Sequence, residues 1–476
     1  MSLIHSLKWS FLAELVSKAI SPVVFIVLAR LLSPEDFGVM AAALMVIAFS
    51  QVFWEAGMGA ALIQRQTDVK EAANAAFWIN IGLGCIIAAA LYVASESIAS
   101  VFFQDPRVAT VLQVMTLLVM LGAVSSVHTA LLQKEMSFKK LFWIRFVTVS
   151  LPGIASIPLA LNGMGYWALV VGALVGQVAQ VLMLWYLSQW RPTWGFNAMV
   201  AKEMAQFGAW VGASGLLAWF YMWADSLIVG MYLGSHELGL YRMGNLFAMM
   251  IFAVLLGSIA PVLYSHLSRM GQNRQRLRNA IERVIKLIIM VSIPTGLIIY
   301  SLSDQIGAVL FGEKWEGVGF VLGVMALVHG FAWIVGMNGN VYRAMGKPSY
   351  ETMVMAGSLV VYLGVYIYAI NLSFESFVWA RFVLVFGALA LHFYVLNKVI
   401  SVAILPIIRY LIFISVSVYF IISGTRWFLE SYVDDSLNSL IVGGVLNIFL
   451  VGAFIYFIER KRLIPEITNL IKRRGL

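Results

Sequence analysis

The chain has 476 residues, of which 61% are apolar and only 12% charged, with a mean hydropathy of +0.89 and a formal net charge of +9. A water-soluble protein carries about a quarter charged residues, so no core of this size hides so much apolar surface and lipid must be the solvent for much of it. The positive charges lie in short runs between apolar blocks, which speaks against a nucleic-acid partner, and the single cysteine, Cys85, rules out an intrachain disulfide and a cysteine-based metal site.

At about 20 residues per span, the apolar blocks predict fourteen helices, roughly 8–32, 36–63, 73–98, 108–132, 139–161, 165–189, 205–233, 237–266, 281–303, 317–343, 350–370, 375–397, 403–424 and 437–458. The first run contains Glu14 and Lys18 and reaches Leu32 without a small-residue cleavage site, so it is expected to stay as a span and not to be removed as a signal peptide. After it, Ser33-Pro34-Glu35-Asp36 predicts a tight turn into the second helix. Ser33 suits the N-cap, Pro34 the first helical position, and Asp36 the third, where a carboxylate meets free N–H groups and the helix dipole.

The same layout returns about 200 residues later, where Val229–Tyr241 has Gly239 at the place of Gly38 and Glu237 at that of Asp36. Ala130–Phe138 and Gly165–Leu169 recur about 210 residues on, as Val341–Ser349 and Glu375–Trp379. The expected fold class is therefore an all-α polytopic membrane protein of about 14 transmembrane helices. Residues 1–200 form an N-terminal six-helix lobe and 201–400 a second. A pseudo-two-fold along the membrane normal relates them, because six is an even number of crossings. Residues 401–460 add two helices and 461–476 a basic tail. Two such lobes commonly rock about a central substrate cavity.

Of the 32 lysines and arginines, 24 fall on the side that holds the N-terminus and at most six on the other. By the positive-inside rule both termini are expected in the cytoplasm, and the Ser33–Asp36 turn on the outer face.

No hydrolase, kinase or metal signature is present, and Gly212–Gly215 lies inside an apolar helix, where close packing explains it better than a phosphate loop. The informative residues are charges inside spans, each costing at least a few kcal/mol at the bilayer centre. Asp225 lies eight residues before the end of its helix, about 12 Å deep at about 1.5 Å per residue. It suits either a proton or Na⁺ carrier or a structural interhelical hydrogen bond. Arg145 is placed either to hold an anionic headgroup or to snorkel to the interface. Lys18 follows Glu14 by four residues, so a local ion pair competes with a cavity role. Arg30, Arg242 and Arg381 lie near outer helix ends, as interface residues or as a positive outer mouth for a phosphate group. Glu55 and His128 read as polar glue between helices.

The stretches Leu28–Gly38, Gly57–Arg65, Leu132–Phe138, Phe207–Trp210, Ala224–Ile228 and Val309–Trp315 resemble the polysaccharide transporter branch of the multidrug/oligosaccharidyl-lipid/polysaccharide exporter superfamily, especially the Wzx-type, colanic-acid-exporter-like flippases. The resemblance spans roughly residues 5 to 400. It implies two six-helix bundles facing a cavity, and alternating access that carries a polyprenyl-diphosphate-linked oligosaccharide from the cytoplasmic to the outer leaflet of the bacterial inner membrane, for exopolysaccharide, O-antigen or capsule assembly. It implies basic cavity residues for the diphosphate, for which Lys18, Arg145 and Arg381 are the positions here. It implies no cofactor beyond an H⁺ or Na⁺ gradient, for which Asp225 is the position, and as partners the lipid-linked substrate, membrane lipids and a polysaccharide polymerase or chain-length machinery. The rivals are an ion-coupled drug antiporter of the same superfamily, which would want a cavity of carboxylates, and a membrane glycan polymerase or transferase, which would need a larger outer loop than 304–316 or 425–436.

Overall fold

The structure, a computed structural model, describes residues 20–55, 57–195, 197–257, 274–347, 349–433 and 436–460. The chain forms two compact units, Met1–Arg242 and Met243–Leu476. The first holds α1 (Ile20–Leu31), α2 (Pro34–Glu55), α3 (Met58–Gln64), α4 (Val69–Ile98), α5 (Pro106–Lys134), α6 (Phe138–Leu161), α7 (Tyr166–Leu187) and α8 (Ala198–Leu233). Helix α9 (Ser235–Leu256) begins in the first unit and ends in the second. The second continues with α10 (Arg274–Ser301), α11 (Ser303–Leu310), α12 (Val318–Gly336), α13 (Asn338–Ala344), α14 (Ser349–Ile370), α15 (Phe374–Ile400), α16 (Ile404–Tyr432) and α17 (Ser436–Glu459).

Among the described residues there is no strand, and thirteen helical segments are long and apolar enough to cross a membrane. Each of the fourteen expected spans has its helix, the first only from Ile20 onward. The earlier part of that span, with Lys18 and Glu14, lies outside the described residues, as does the basic tail 461–476. The outward faces call for hydrocarbon: in α17, Ile441, Val445, Ile448 and Phe449 are 55–70% exposed, a density of apolar surface that water would penalise.

Packing in the first unit follows from small residues. Ala72, Ala73, Ala75 and Ala76 of α4 are fully buried, and α4 lies along α5. Short side chains let two helix backbones approach where lipid supplies no hydrophobic drive between them. Met58 and Leu62 of α3, Phe77 of α4, Val127 and Leu131 of α5 and Met204 of α8 close one buried cluster over these alanines.

Four details depart from the expected spans. The second helix breaks at Gly57, which takes φ 66°; a β-carbon there would collide with Val211 of α8, so only glycine permits both the turn and the close pass. The tenth breaks at Met337 into α12 and α13. The stretch 304–316, read as an outer loop, is instead α11 and a short 3₁₀ turn at Glu313–Trp315, held down by Phe311 and Trp315, both buried. The ninth span starts earlier than the expected residue 281, since α10 already begins at Arg274, and in its first turns Arg278 pairs with Glu282 at 2.9 Å.

Candidate functional site

The N-terminal ends of α2, α5, α7 and α9 form one hydrogen-bonded cluster in the first unit. Ser33 and Asp36 form a reciprocal cap: the Ser33 N–H and hydroxyl donate to Asp36 Oδ2 at 3.0 and 3.1 Å, and the Asp36 N–H donates to Ser33 Oγ at 3.3 Å. This is the cap that the Ser-Pro-Glu-Asp order predicts. The other Asp36 oxygen accepts from the Tyr166 N–H at the start of α7, at 2.8 Å. Glu35 pairs with His236 in the first turn of α9 at 2.6 Å. Asp105 caps α5 through the Arg107 N–H, holds the Arg107 guanidinium at 2.8 Å and accepts from the Ser235 hydroxyl at 2.7 Å. Burial pushes the Asp105 carboxyl up, but the bonds from Arg107 and Ser235 outweigh it and leave it below the usual aspartate value. The cluster ties helix starts together, and Asp105 borders a cavity of about 460 Å³ walled by Glu96, Gln104 and Gln113.

Two larger chambers lie toward the other end of the same unit. A chamber of about 560 Å³ is bounded by α2, α3, α5 and α7, with Gln51, Glu55, Ser126, Gln133, Gln177 and Gln180 among its walls. A second, of about 840 Å³, reaches α6 and is lined by Phe138, Arg145 and Thr148. Ile63, Thr129, Gln133 and Gln180 belong to both, so the two chambers adjoin. Their sizes are those of small-molecule binding clefts. Among the described residues Glu55 is the only charged group lining the first chamber and Arg145 the only one lining the second. Gln51 donates to Glu55 Oε2 at 3.0 Å and so orients the carboxylate. Basic side chains close the helix ends nearby: Lys134 donates to the Arg65 and Ile63 carbonyls at the end of α3, and Lys140 to the Leu187 carbonyl at 2.8 Å, as suits the negative end of a helix.

The residues singled out from sequence go to different places. Arg145 lines the second chamber. Arg30 is exposed at the end of α1. Asp225, 2% exposed, accepts from the Tyr241 hydroxyl at 2.8 Å and from the Ser226 N–H and hydroxyl. Arg242 stands over the Trp223 ring at 4.1 Å and reaches Ser226 Oγ at 3.5 Å. Asp225 and Arg242 thus share one network through Ser226, and neither lines the two chambers. Arg381, in the second unit, donates to the Tyr366 hydroxyl at 2.9 Å.

Glu55, read as polar glue, faces the chamber. His128 is not polar glue: it is fully buried against Trp185 and Trp190, at 4.8 and 5.3 Å, with no hydrogen-bond partner for either ring nitrogen among the described residues. Sequence reasoning passed over Gln133, Gln177 and Gln180. The available signal was an amide pair at i, i+3 on α7, which puts two polar groups on one face of an otherwise apolar helix.

The sequence profile of a family described as polysaccharide biosynthesis protein matches residues 27–319. The chain is 28% identical over 322 residues to the succinoglycan biosynthesis transport protein ExoT of Rhizobium meliloti (strain 1021), covering 68% of this chain and 65% of ExoT. It is 23% identical over 351 residues to the lipopolysaccharide biosynthesis protein WzxC of Escherichia coli (strain K12), covering 72% of this chain and 68% of WzxC. The chain thus spans about two thirds of the length of these relatives. Its fold matches that of the lipid II flippase MurJ in an inward closed conformation with a TM-score of 0.79, at 14% identity, over 96% of this chain and 100% of that one. A likeness at that identity is one of fold, and function has to be argued from the site.

Proposed function

This multi-pass membrane protein belongs to the polysaccharide biosynthesis protein family, and from that premise we propose that it is a flippase that moves a polyprenyl-diphosphate-linked oligosaccharide from the cytoplasmic to the outer leaflet of the bacterial inner membrane by alternating access. The observation that carries this reading is the pair of adjoining chambers with Arg145 in one and an amide- and hydroxyl-rich wall in the other. A diphosphate bearing sugars does not cross about 30 Å of hydrocarbon unaided. A guanidinium takes two phosphate oxygens at once, amides and hydroxyls replace the water lost by sugar hydroxyls, and the polyprenyl tail stays in the bilayer.

On this reading residues 1–200 and 201–400 are the two moving lobes, both termini are cytoplasmic, and substrate enters where α3, α5 and α6 meet. A drug antiporter for cationic compounds calls for several carboxylates in its cavity; Glu55 is the only one in the described lining. Of the two roles open to Asp225, its bonds to Tyr241 and Ser226 support the structural one. A gradient of H⁺ or Na⁺ then drives the cycle through another group.

The test is genetic and biochemical. Deleting the gene should make a lipid-linked repeat unit accumulate in extracted lipids and reduce surface glycan without loss of glycosyltransferase activity. Arg145→Ala, at normal protein level, should reduce export at least tenfold. Full export by that variant removes Arg145 from the mechanism, and a deletion strain without lipid-linked intermediate sinks the flippase reading.

A further inference from the structure

We infer that the first chamber is a subsite for uncharged sugar, that Glu55 makes it reject acidic sugars, and that the substrate is therefore a prenyl diphosphate whose sugars nearest the diphosphate are neutral. The inference rests on the flippase reading and goes beyond it in naming the chemistry of the glycan.

The charges are separated by chamber. The wall around Arg145 carries no carboxylate, and the wall around Glu55 carries no lysine, arginine or histidine, among the described residues. A ligand lying across both therefore meets a cation at one end and an anion at the other. The diphosphate is the anionic part of any such lipid and takes the Arg145 end, where its charge is matched. Whatever is attached to it lies toward Glu55.

The wall there is suited to hydroxyl and acetamido groups. Gln133, Gln177 and Gln180 line the first chamber, and among the described residues none of their amides has an internal hydrogen-bond partner. Each offers two donors and an acceptor, the mixed set that sugar hydroxyls require. Ser126 already donates to the Ala123 carbonyl and accepts from Asn80, which leaves the glutamines and Glu55 as the adaptable groups. A carboxylate accepts from two sugar hydroxyls but repels a uronate or an acidic substituent at close range. Gln51 holds Glu55 at 3.0 Å.

The test uses the purified full chain in detergent and native mass spectrometry with three probes: a polyprenyl diphosphate, the same lipid bearing N-acetylglucosamine, and the same lipid bearing glucuronic acid. The wild type should prefer the N-acetylglucosamine probe to the glucuronic acid probe about tenfold or more. Glu55→Gln, which keeps the size and can keep the Gln51 hydrogen bond, should bring the two within about twofold, chiefly by tighter binding of the acidic probe. Arg145→Gln should weaken all three probes together. A wild type that binds the two sugar probes within twofold overturns the subsite inference, with no variant needed. So does Glu55→Gln keeping the wild-type preference. A wild type that binds none of the three, the sugar-free lipid included, overturns the flippase reading and the inference with it.

Discussion

Gly38 and Gly239 meet across the starts of α2 and α9, each against a carbonyl of the other's first turn: Gly38 against that of Ser235, Gly239 against that of Pro34. These are the matching positions of the two similar segments around Ser33–Gly38 and Gly234–Gly239, offset by 201 residues. The contact is therefore reciprocal, as at a two-fold axis, and Glu35 with His236 adds a pair at equivalent positions beside it. The Ser33–Asp36 turn does more than cap α2: its carboxylates also reach α7 and α9.

Gly38→Ala and Gly239→Ala should each force the two helix starts apart, because the new β-carbon has only backbone to meet. Overpacking of this kind costs about 1–3 kcal/mol. Thermal melting in detergent should show each single loss, and the double variant should lose less than the sum, since both act on one contact. Strict additivity would mean that the glycines do not share it.

The Glu35–His236 pair should contribute little by itself. Both side chains are more than a third exposed, at 36% and 43%, and exposed pairs are worth about 0.2–1 kcal/mol. A double-mutant cycle with Glu35→Gln and His236→Asn should give a coupling of about 0.5 kcal/mol that falls with added salt. A salt-independent coupling above about 2 kcal/mol would mark it as a gate latch.

Asp105 should make this end of the first unit acid-sensitive. Its carboxyl lies below its ordinary value, 3.8, in the folded chain. Its contribution is therefore fully present above that value and is lost as pH falls through it toward the lower folded value. Asp105→Ala, which removes the cap and the Ser235 acceptor, should cost about 1–2 kcal/mol at pH 7. The gap between wild type and variant should narrow as pH drops below about 4; a gap that widens in acid would contradict the assignment.

Asp225 and Tyr241 should behave as one structural unit. Tyr241→Phe removes a hydrogen bond to a buried carboxylate, a loss of about 1.5–3 kcal/mol, and Asp225→Asn should cost a similar amount with strong non-additivity in the double variant. Glycan export by Asp225→Asn, normalised to folded protein, should keep the gradient dependence of the wild type. Export that has become indifferent to the gradient would return Asp225 to an ion-carrying role.

The helices were legible because solvation is a local property of the chain: a run of about 20 apolar residues has no alternative to spanning in lipid. The cap at Ser33, Pro34 and Asp36 was legible for the same reason, since it closes within four residues. The break at Gly57 was not, because what forbids a side chain there is Val211, distant in sequence.

By itself, then, the amino-acid order determined the medium, the apolar spans and the family resemblance, all of which rest on composition and spacing along the chain. Only the tertiary structure decided which polar residues face a chamber. It set Arg145 in the lining of one chamber, turned Glu55 and three glutamines toward the adjoining one, and gave Asp225 to Tyr241 and Ser226. The physical reason is that a charge inside an apolar helix announces only that it needs a partner. Whether that partner is a neighbouring side chain or a ligand depends on how the helices are rotated against one another, which no single helix encodes.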